Sequence, residues 1–251
     1  MALLHMAPIP GDVVGNQKAV ECGLNRAAKA GAQWVLTPEL VVSGYTFAEQ
    51  EGTDWIDPQP DPWVQSLLAT LTQSGQTLFL GLPERDLESG ALHNTLLVLG
   101  PDGVLGRHRK VWTLNTRSEG WSSPGEGVAP IEVEPIGRIG LLVCADACDP
   151  TLADNLVAQG ARLLISAANW APDRYGPAVE WERTTRHTGL PLIVCNRTGP
   201  GRNLDFRGAQ SAVVVDGQRM FEHVSPEPAL VLFDWDVQSN MLARSPIVLD
   251  M

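Results

Sequence analysis

A cysteine, a lysine and a glutamate each stand where an apolar segment of the sequence ends. Cys144 closes the run Arg-Ile-Gly-Leu-Leu-Val-Cys, Glu39 follows Val-Leu-Thr-Pro, and Lys110 closes Leu-Gly-Arg-His-Arg-Lys. If these segments are strands whose ends converge, a thiol nucleophile, a carboxylate base and an ammonium share one pocket. Such a set is suited to amide hydrolysis, because the ammonium stabilises the negative charge that develops on the substrate oxygen.

Each of these residues also has an ordinary structural interpretation. Unpaired cysteines are usually small buried apolar residues, a loop glutamate is usually solvated, and the polar run at 107–110 is typical of a solvated basic edge. The functional interpretation of Cys144 is favoured because Glu39 and Lys110 also stand at the ends of apolar segments. The sequence after Cys144 turns into the next predicted helix. Backbone N–H groups at such a turn, with the positive end of that helix, favour a thiolate and later an oxyanion.

A second thiol offers a different interpretation of the same segment. Cys144 and Cys148 are four residues apart, which places two sulfur atoms one turn apart if this segment is helical. A metal or redox site is therefore an alternative to hydrolysis. The alternative is weak, because the sequence assigns no histidine partner to the pair.

The apolar pattern of the remaining sequence predicts an α/β protein. Helices are predicted at 16–30, beginning at Asn16, at 152–159 after Asp149-Pro150, and at 178–187. Pro101-Asp-Gly103 and Asp216-Gly217 predict hairpin turns. Strands are predicted at 34–37, 77–82, 94–99, 139–144, 163–167, 190–195, 211–215 and 229–233. Strands joined partly by helices and partly by hairpins predict a four-layer α-β-β-α sandwich of two mixed β-sheets flanked by helices, in a single domain over residues 1–251.

Composition excludes two classes of partner and predicts a location. The 251 residues are 44% hydrophobic, and their formal charge of -11 opposes binding to a phosphate backbone, so we expect no nucleic-acid partner. We also expect no membrane span and no export signal, because no apolar stretch approaches the roughly 20 residues that a spanning helix needs. The four cysteines are too few for a disulfide scaffold. A cytoplasmic protein with free thiols is the prediction.

At the three strand ends, and at further segments in the same order, the sequence resembles the nitrilase superfamily of carbon-nitrogen hydrolases, in its amidase-like branch. One such fragment is weak, but this many in order is specific. The resembling segments are Gly11-Asp-Val-Val-Gly-Asn16, Ala30-Gly-Ala-Gln-Trp-Val-Leu-Thr-Pro-Glu-Leu40, Ser43-Gly-Tyr45, Asn94-Thr95, Pro101-Asp-Gly103, His108-Arg-Lys110, Glu119-Gly-Trp-Ser-Ser-Pro-Gly125, Gly140-Leu-Leu-Val-Cys-Ala-Asp146, Gln159-Gly-Ala161, Ala168-Asn-Trp170, Asn196-Arg-Thr-Gly199 and Gly208-Ala-Gln-Ser211.

The resemblance implies a Glu-Lys-Cys triad of Glu39, Lys110 and Cys144 acting through a thioester. It implies that Glu119 is a second glutamate that positions substrate or water, with Glu126 as the alternative if the alignment shifts. The Lys110 ammonium and the backbone N–H of Ala145 would hold the oxyanion. No metal or organic cofactor is implied. Tyr45, Trp121, Asn169 and Trp170 are candidates for the substrate-binding wall, although aromatic residues at such places often only pack in a core.

Departures from the family pattern bear on the substrate. Ala145 replaces the tyrosine that often follows the nucleophile in amidases, and Cys148 stands where an arginine is common. True nitrilases often have Trp-Glu directly after the cysteine, and Ala145-Asp146 does not match that pair. We therefore expect a small amide as substrate, with a nitrile or an N-carbamoyl compound as alternatives on the same triad.

Two further statements follow from the resemblance alone. Members of the family typically form dimers, and sometimes larger assemblies, in which two sandwiches pack together. The resemblance therefore predicts a homodimer or a larger homo-oligomer. The alternative from another functional class is a catalytically silent binding or scaffold protein of the same fold, which the intact set of Glu39, Lys110, Glu119 and Cys144 argues against.

Overall fold

The structure, a computed structural model, describes residues 1–114, 118–172 and 177–251. Its strands are β1 (Ala2–His5), β2 (Trp34–Leu36), β3 (Thr77–Arg85), β4 (Leu92–Gly100), β5 (Gly103–Arg109), β6 (Ile131–Val133), β7 (Gly137–Val143), β8 (Leu163–Ala168), β9 (Leu192–Asn196), β10 (Gln210–Val215), β11 (Gln218–Val224), β12 (Ala229–Leu232), β13 (Trp235–Asp236), β14 (Met241–Leu242) and β15 (Ile247–Asp250). Its helices are α1 (Val13–Lys29), α2 (Ala48–Glu51), α3 (Pro62–Ser74), α4 (Pro150–Ala158) and α5 (Glu180–Thr188). A 3₁₀ helix at Cys144–Cys148 connects β7 to α4.

Two mixed sheets form the centre of the molecule, as predicted. The first has the order β15-β12-β1-β2-β3-β4-β5, in which β1, β2 and β3 are parallel and the outer pairs are antiparallel. The second has the order β11-β10-β9-β8-β7-β6, with β7, β8 and β9 parallel. The carboxyl ends of parallel strands lie at one edge of a sheet, which is where ligand sites are commonly built.

Alternation along the strands separates the layers. In β1, Leu3 packs between the sheets, whereas Leu4 packs against α1 and α3 on the outer face of the first sheet. Phe79 and Leu80 of β3 divide in the same way. The cluster that contains Leu3 and Phe79 also includes residues of the second sheet, Trp181 of α5 and side chains of α4. This period of two explains why buried strands read as nearly continuous apolar runs.

The helix boundaries follow their caps. Asp149 accepts a hydrogen bond from the Thr151 N–H and Pro150 begins α4, as predicted. The predicted start of α1 is wrong by three residues, because Asp12 caps the helix by accepting from the Gly15 N–H. Asn16 is instead buried in the first turn, where its side chain bonds to the backbone of two loops.

Candidate active site

Three strand ends bring the predicted triad together from both sheets. Glu39 follows β2 and Lys110 directly follows β5 in the first sheet, whereas Cys144 directly follows β7 in the second. Glu39 and Lys110 are fully buried, and the exposed fraction of Cys144 is 6%. The ordinary interpretation of Glu39 and Lys110 as solvated surface charges is therefore wrong.

The Lys110 ammonium joins two carboxylates. Its Nζ lies 2.9 Å from Glu39 Oε1 and 2.7 Å from Glu119 Oε1. Burial alone would lower the pKa of Lys110, but the charges of the surrounding acidic groups raise it well above its usual value. One buried cation in contact with two anions stabilises the ionised form of both carboxylates.

Two asparagines fix the orientation of Glu39. Asn94 Nδ2 donates to Glu39 Oε1 at 2.7 Å, while the backbone N–H of Asn169 donates to Oε2 at 2.9 Å and its Nδ2 donates to the Glu39 carbonyl at 2.8 Å. Burial raises the pKa of Glu39 and the charge of Glu119 adds to the rise, against the opposing effect of Lys110. A carboxyl group with a raised pKa is a stronger base than a solvated one.

Glu119 is part of the same buried cluster. Its Oε1 accepts a hydrogen bond from Tyr45 OH at 3.1 Å in addition to Lys110, and its Oε2 accepts from the backbone N–H of Leu114 at 2.9 Å. Glu126, the alternative for the second glutamate, is exposed. The geometry therefore favours Glu119 over Glu126 as the second carboxylate of the site.

Cys144 has an unusual backbone conformation at the turn out of β7. Its φ is 47°, a left-handed value that a residue with a side chain seldom adopts and that is associated with functional sites. Burial raises the pKa of the Cys144 thiol well above its usual value, and the Glu39 charge adds to the rise despite the opposing Lys110. Burial and the neighbouring carboxylates therefore oppose the effect of the turn and the following helix, which were expected to favour a thiolate.

Asp146 holds the turn that contains Cys144. Its Oδ2 accepts from the Val143 N–H at 2.9 Å and lies 2.8 Å from His108 Nε2. Its Oδ1 accepts from the backbone N–H groups of Val111 and Trp112 at 3.1 and 2.8 Å. This positioning of the turn by Asp146 was not predicted from the sequence, because the partners of Asp146 are up to 38 residues distant along the chain.

The other predicted residues, Ala145, Trp121 and Trp170, have neighbours within the protein that the structure describes. Ala145 is a buried residue of the 3₁₀ helix directly after the nucleophile. The Trp121 ring packs 5.0 Å from that of Phe47, and the Trp170 ring packs 5.8 Å from that of Trp181. Substrate contact by these three residues stays a prediction. Asn94 is an addition to the predicted set, because its side chain contacts Glu39 directly.

The alternative thiol site receives no structural support. Cys148 is exposed, while Cys144 is buried. Within residues 1–114, 118–172 and 177–251, no group of three or more histidine, cysteine or acidic side chains is arranged to hold a metal ion. In the same described ranges, no helix has the length and apolar character required to cross a membrane.

Comparisons with known proteins match both the fold and the sequence. Residues 1–223 match the family described as carbon-nitrogen hydrolase. An omega-amidase of Danio rerio is 31% identical over 94% of this chain and 86% of its own length, and a nitrilase of Pyrococcus abyssi is 28% identical over 83% and 78%. The crystal structure of an amidase from Nesterenkonia sp. is 26% identical, with a TM-score of 0.78 over 91% of this chain and 87% of that one.

The family match covers most of the chain, and the relatives that it resembles include amidases and a nitrilase. The structural neighbour has the same arrangement of two mixed sheets and outer helices. The chain therefore belongs to the carbon-nitrogen hydrolase family, in the amidase-like branch of the nitrilase superfamily, and is a hydrolase of carbon-nitrogen bonds other than peptide bonds.

Proposed function

We propose that the protein hydrolyses a small non-peptide amide through a thioester on Cys144, with Glu39, Lys110 and Glu119 as the other catalytic residues. The observation that carries this proposal is the buried contact of Lys110 with both Glu39 and Glu119, next to a thiol whose pKa responds to all three charges. A buried network of this kind is not needed for a scaffold, and it supplies a base, a cation and a nucleophile in one place.

Acylation begins with a protonated thiol, in agreement with its raised pKa. Glu39 takes the proton as the Cys144 sulfur attacks the substrate carbonyl carbon, and the Lys110 ammonium and the Ala145 N–H stabilise the oxyanion. The carbon-nitrogen bond then breaks as Glu39 returns the proton to the leaving nitrogen. Ammonia or an amine departs, and the acyl group remains on the sulfur as a thioester.

Deacylation uses the same groups in reverse. A water molecule loses a proton to Glu39 and attacks the thioester carbonyl, and the proton then passes to the departing Cys144 sulfur. Glu119 orients the substrate or the water and balances the charge of Lys110, to which it is bonded at 2.7 Å. The products are a carboxylic acid and the regenerated thiol.

The enclosed site supports a small substrate, because the triad residues are at most 6% exposed. A mutant of the Nesterenkonia amidase has been solved in complex with butyramide, which supports a short primary amide here by analogy. The Ala145-Asp146 sequence after the nucleophile also favours an amide over a nitrile. An N-carbamoyl substrate and a catalytically silent protein are the alternatives that the test separates.

The test is a screen for ammonia release from butyramide, from other short amides and from matched nitriles and N-carbamoyl compounds, with Cys144→Ala as control. We expect the wild type to release ammonia fastest from an amide, and the mutant to release none above the uncatalysed rate. Carbon dioxide together with ammonia would instead identify an N-carbamoyl compound as the substrate. The absence of turnover on every compound would favour the scaffold.

We also propose that the protein is a cytoplasmic homodimer or larger homo-oligomer. Four free cysteines support a reducing compartment. The edge strand β15, with Ile247, Val248 and Leu249 exposed, offers an apolar surface for a second copy. Light scattering of the purified protein at two concentrations tests the assembly, and a monomer at both would contradict it.

A further inference from the structure

Asp146 connects the segment of the site that carries Lys110 with the turn that carries Cys144. Val111 and Trp112, whose N–H groups bond to Oδ1, directly follow Lys110. Val143, whose N–H bonds to Oδ2, directly precedes Cys144. The two segments belong to different sheets, so this carboxylate forms a direct polar link between them.

The four contacts require a carboxylate. Three partners are backbone N–H groups, and the fourth is the His108 ring at Nε2, which must carry a proton to bond to an ionised oxygen. Asp146 is fully buried, and burial alone would raise its pKa, but the hydrogen bonds from His108 and the backbone hold it below its usual range. An asparagine side chain at this position would place its NH₂ group against two of the four N–H donors, and a donor cannot accept their hydrogen bonds.

We propose that Asp146 is a positioning residue for amide hydrolysis, which fixes the Lys110 ammonium relative to the Cys144 sulfur, and that His108 holds the Asp146 carboxylate in place. This inference rests on the function proposed above. Its physical reason is that the oxyanion donors act only when they are preorganised, and an error of about 1 Å in a catalytic group reduces the rate by about 100-fold.

Asp146→Asn tests the link, with Gln76→Ala as the matched control. Gln76 is also buried, and it donates to the Ala32 carbonyl at 2.9 Å. It precedes the amino end of β3, whereas the site lies at the carboxyl ends of the parallel strands. On the best amide of the screen, we expect kcat of Asp146→Asn to fall about 100-fold while KM changes less than about threefold. Gln76→Ala should lower Tm and retain the wild-type kcat. Equal losses of kcat in the two variants would overturn the proposal.

Two His108 variants test its part in the link. Glutamine keeps an N–H donor that can bond to Asp146, whereas leucine has a similar size and no donor. We expect His108→Gln to retain kcat within about threefold of the wild type, and His108→Leu to lose about tenfold or more. Identical kcat values for the two variants would show that the histidine acts only by filling space.

Alkylation separates this inference from the proposed function, because it requires no turnover. Iodoacetamide modification of Cys144, followed by mass spectrometry of its peptide across pH, reports how well Lys110 supports the thiolate. We expect the midpoint pH for modification to be higher in Asp146→Asn than in the wild type, because the ammonium is displaced. Removal of the Asp146 charge alone would lower it, so an unchanged or lower midpoint overturns the link even if no amide is hydrolysed.

Discussion

The Tyr45 hydroxyl lies 3.1 Å from Glu119 Oε1, the same oxygen that accepts a hydrogen bond from the Lys110 ammonium. Tyr45 is largely buried, and its ring packs edge to face against Phe206. The Tyr45 ring therefore packs in an apolar environment, while its hydroxyl donates a hydrogen bond to the charged cluster of Glu119 and Lys110. It limits the positions that Glu119 can adopt around Lys110.

Tyr45→Phe should keep the ring packing and lose this donor. We expect the free energy of unfolding to fall by about 1 to 2 kcal/mol, because a hydrogen bond to a charged group is lost. We expect kcat to fall about tenfold, because Glu119 without this hydrogen bond orients the substrate or the water less precisely. Urea unfolding and steady-state kinetics measure the two effects. If Tyr45→Phe matches the wild type in kcat, Tyr45 is only part of the core.

Lys110→Gln should destabilise the protein as well as inactivate it. Without the ammonium, Glu39 and Glu119 are buried carboxylates with no cation in contact, which costs about 3 to 5 kcal/mol. The double variant Lys110→Gln/Glu119→Gln removes one of these charges, so it should be more stable than Lys110→Gln alone. Urea unfolding of both variants checks this order. Additive losses in a double-mutant cycle would contradict the ion pair.

Lys110→Arg tests whether catalysis needs only the positive charge of Lys110 or also the compact shape of its ammonium. The guanidinium keeps the positive charge but is planar and larger than the ammonium at the centre of two carboxylates. We expect single-turnover acylation to slow by about 100-fold or more while substrate affinity changes little. An arginine variant with near-normal acylation would mean that only the charge of Lys110 is used.

Cys144→Ala should abolish hydrolysis and leave the fold intact, because the loss of one sulfur at a strand end creates only a small packing defect. With a poor substrate, the wild type should gain an acyl mass on the peptide that carries Cys144. Cys148→Ala is the matched control on the same 3₁₀ helix, and its thiol is exposed. Acylation that disappears in the Cys148 variant would transfer the nucleophile to that residue.

The sequence predicted the positions of the three central residues because each directly or closely follows an apolar strand, and strand ends are a local signal. Burial of Glu39 and Lys110 was not predictable in the same way, since it depends on contacts between residues as much as 130 apart. The link from His108 to Asp146 was missed for the same reason. The contact of Glu39 with Lys110 requires the first sheet to be assembled, and the contacts made by Asn169 and Asp146 exist only after the two sheets have packed together.

Among the elements that were not predicted, α3 and β15 were missed for other physical reasons. No helix was predicted at 62–74, where prolines precede the helix, but Asp61 caps α3 by accepting from the Val64 N–H, and Pro62 begins the helix. Strand β15 is exposed along its whole length, so it has no buried face to detect. Pairing with β12 alone defines it.

His5 should make the stability of the protein depend on pH. It is fully buried, its Nδ1 lies 2.9 Å from Ser211 Oγ, and burial, followed by the charge of His223, lowers the pKa of His5 to about 4. The unfolded chain therefore takes up this proton first as the pH falls. The stabilisation is present above about pH 6.5 and is lost as the pH falls towards 4, a change of roughly 3 kcal/mol.

Urea unfolding at several pH values between 7 and 4 measures this loss. His5→Gln removes the titrating group and should flatten the slope, whatever its effect on stability at pH 7. His187→Gln is the control, because His187 is an exposed histidine paired with Asp154. Equal slopes in the wild type and His5→Gln would assign the acid sensitivity to other groups.

Glu119→Gln should shift the pH dependence of catalysis in a direction set by Glu39. Burial and the Glu119 charge raise the pKa of Glu39 above its ordinary 4.5, so the acid limb of kcat/KM in the wild type should lie above that pH. Replacing Glu119 removes a negative charge and leaves Lys110 to act on Glu39 alone, which lowers the pKa of Glu39. We therefore expect slower turnover with the acid limb at lower pH. Glu126→Gln, an exposed control, should leave the profile unchanged. An acid limb that moves to higher pH in Glu119→Gln would mean that Glu39 is not the base.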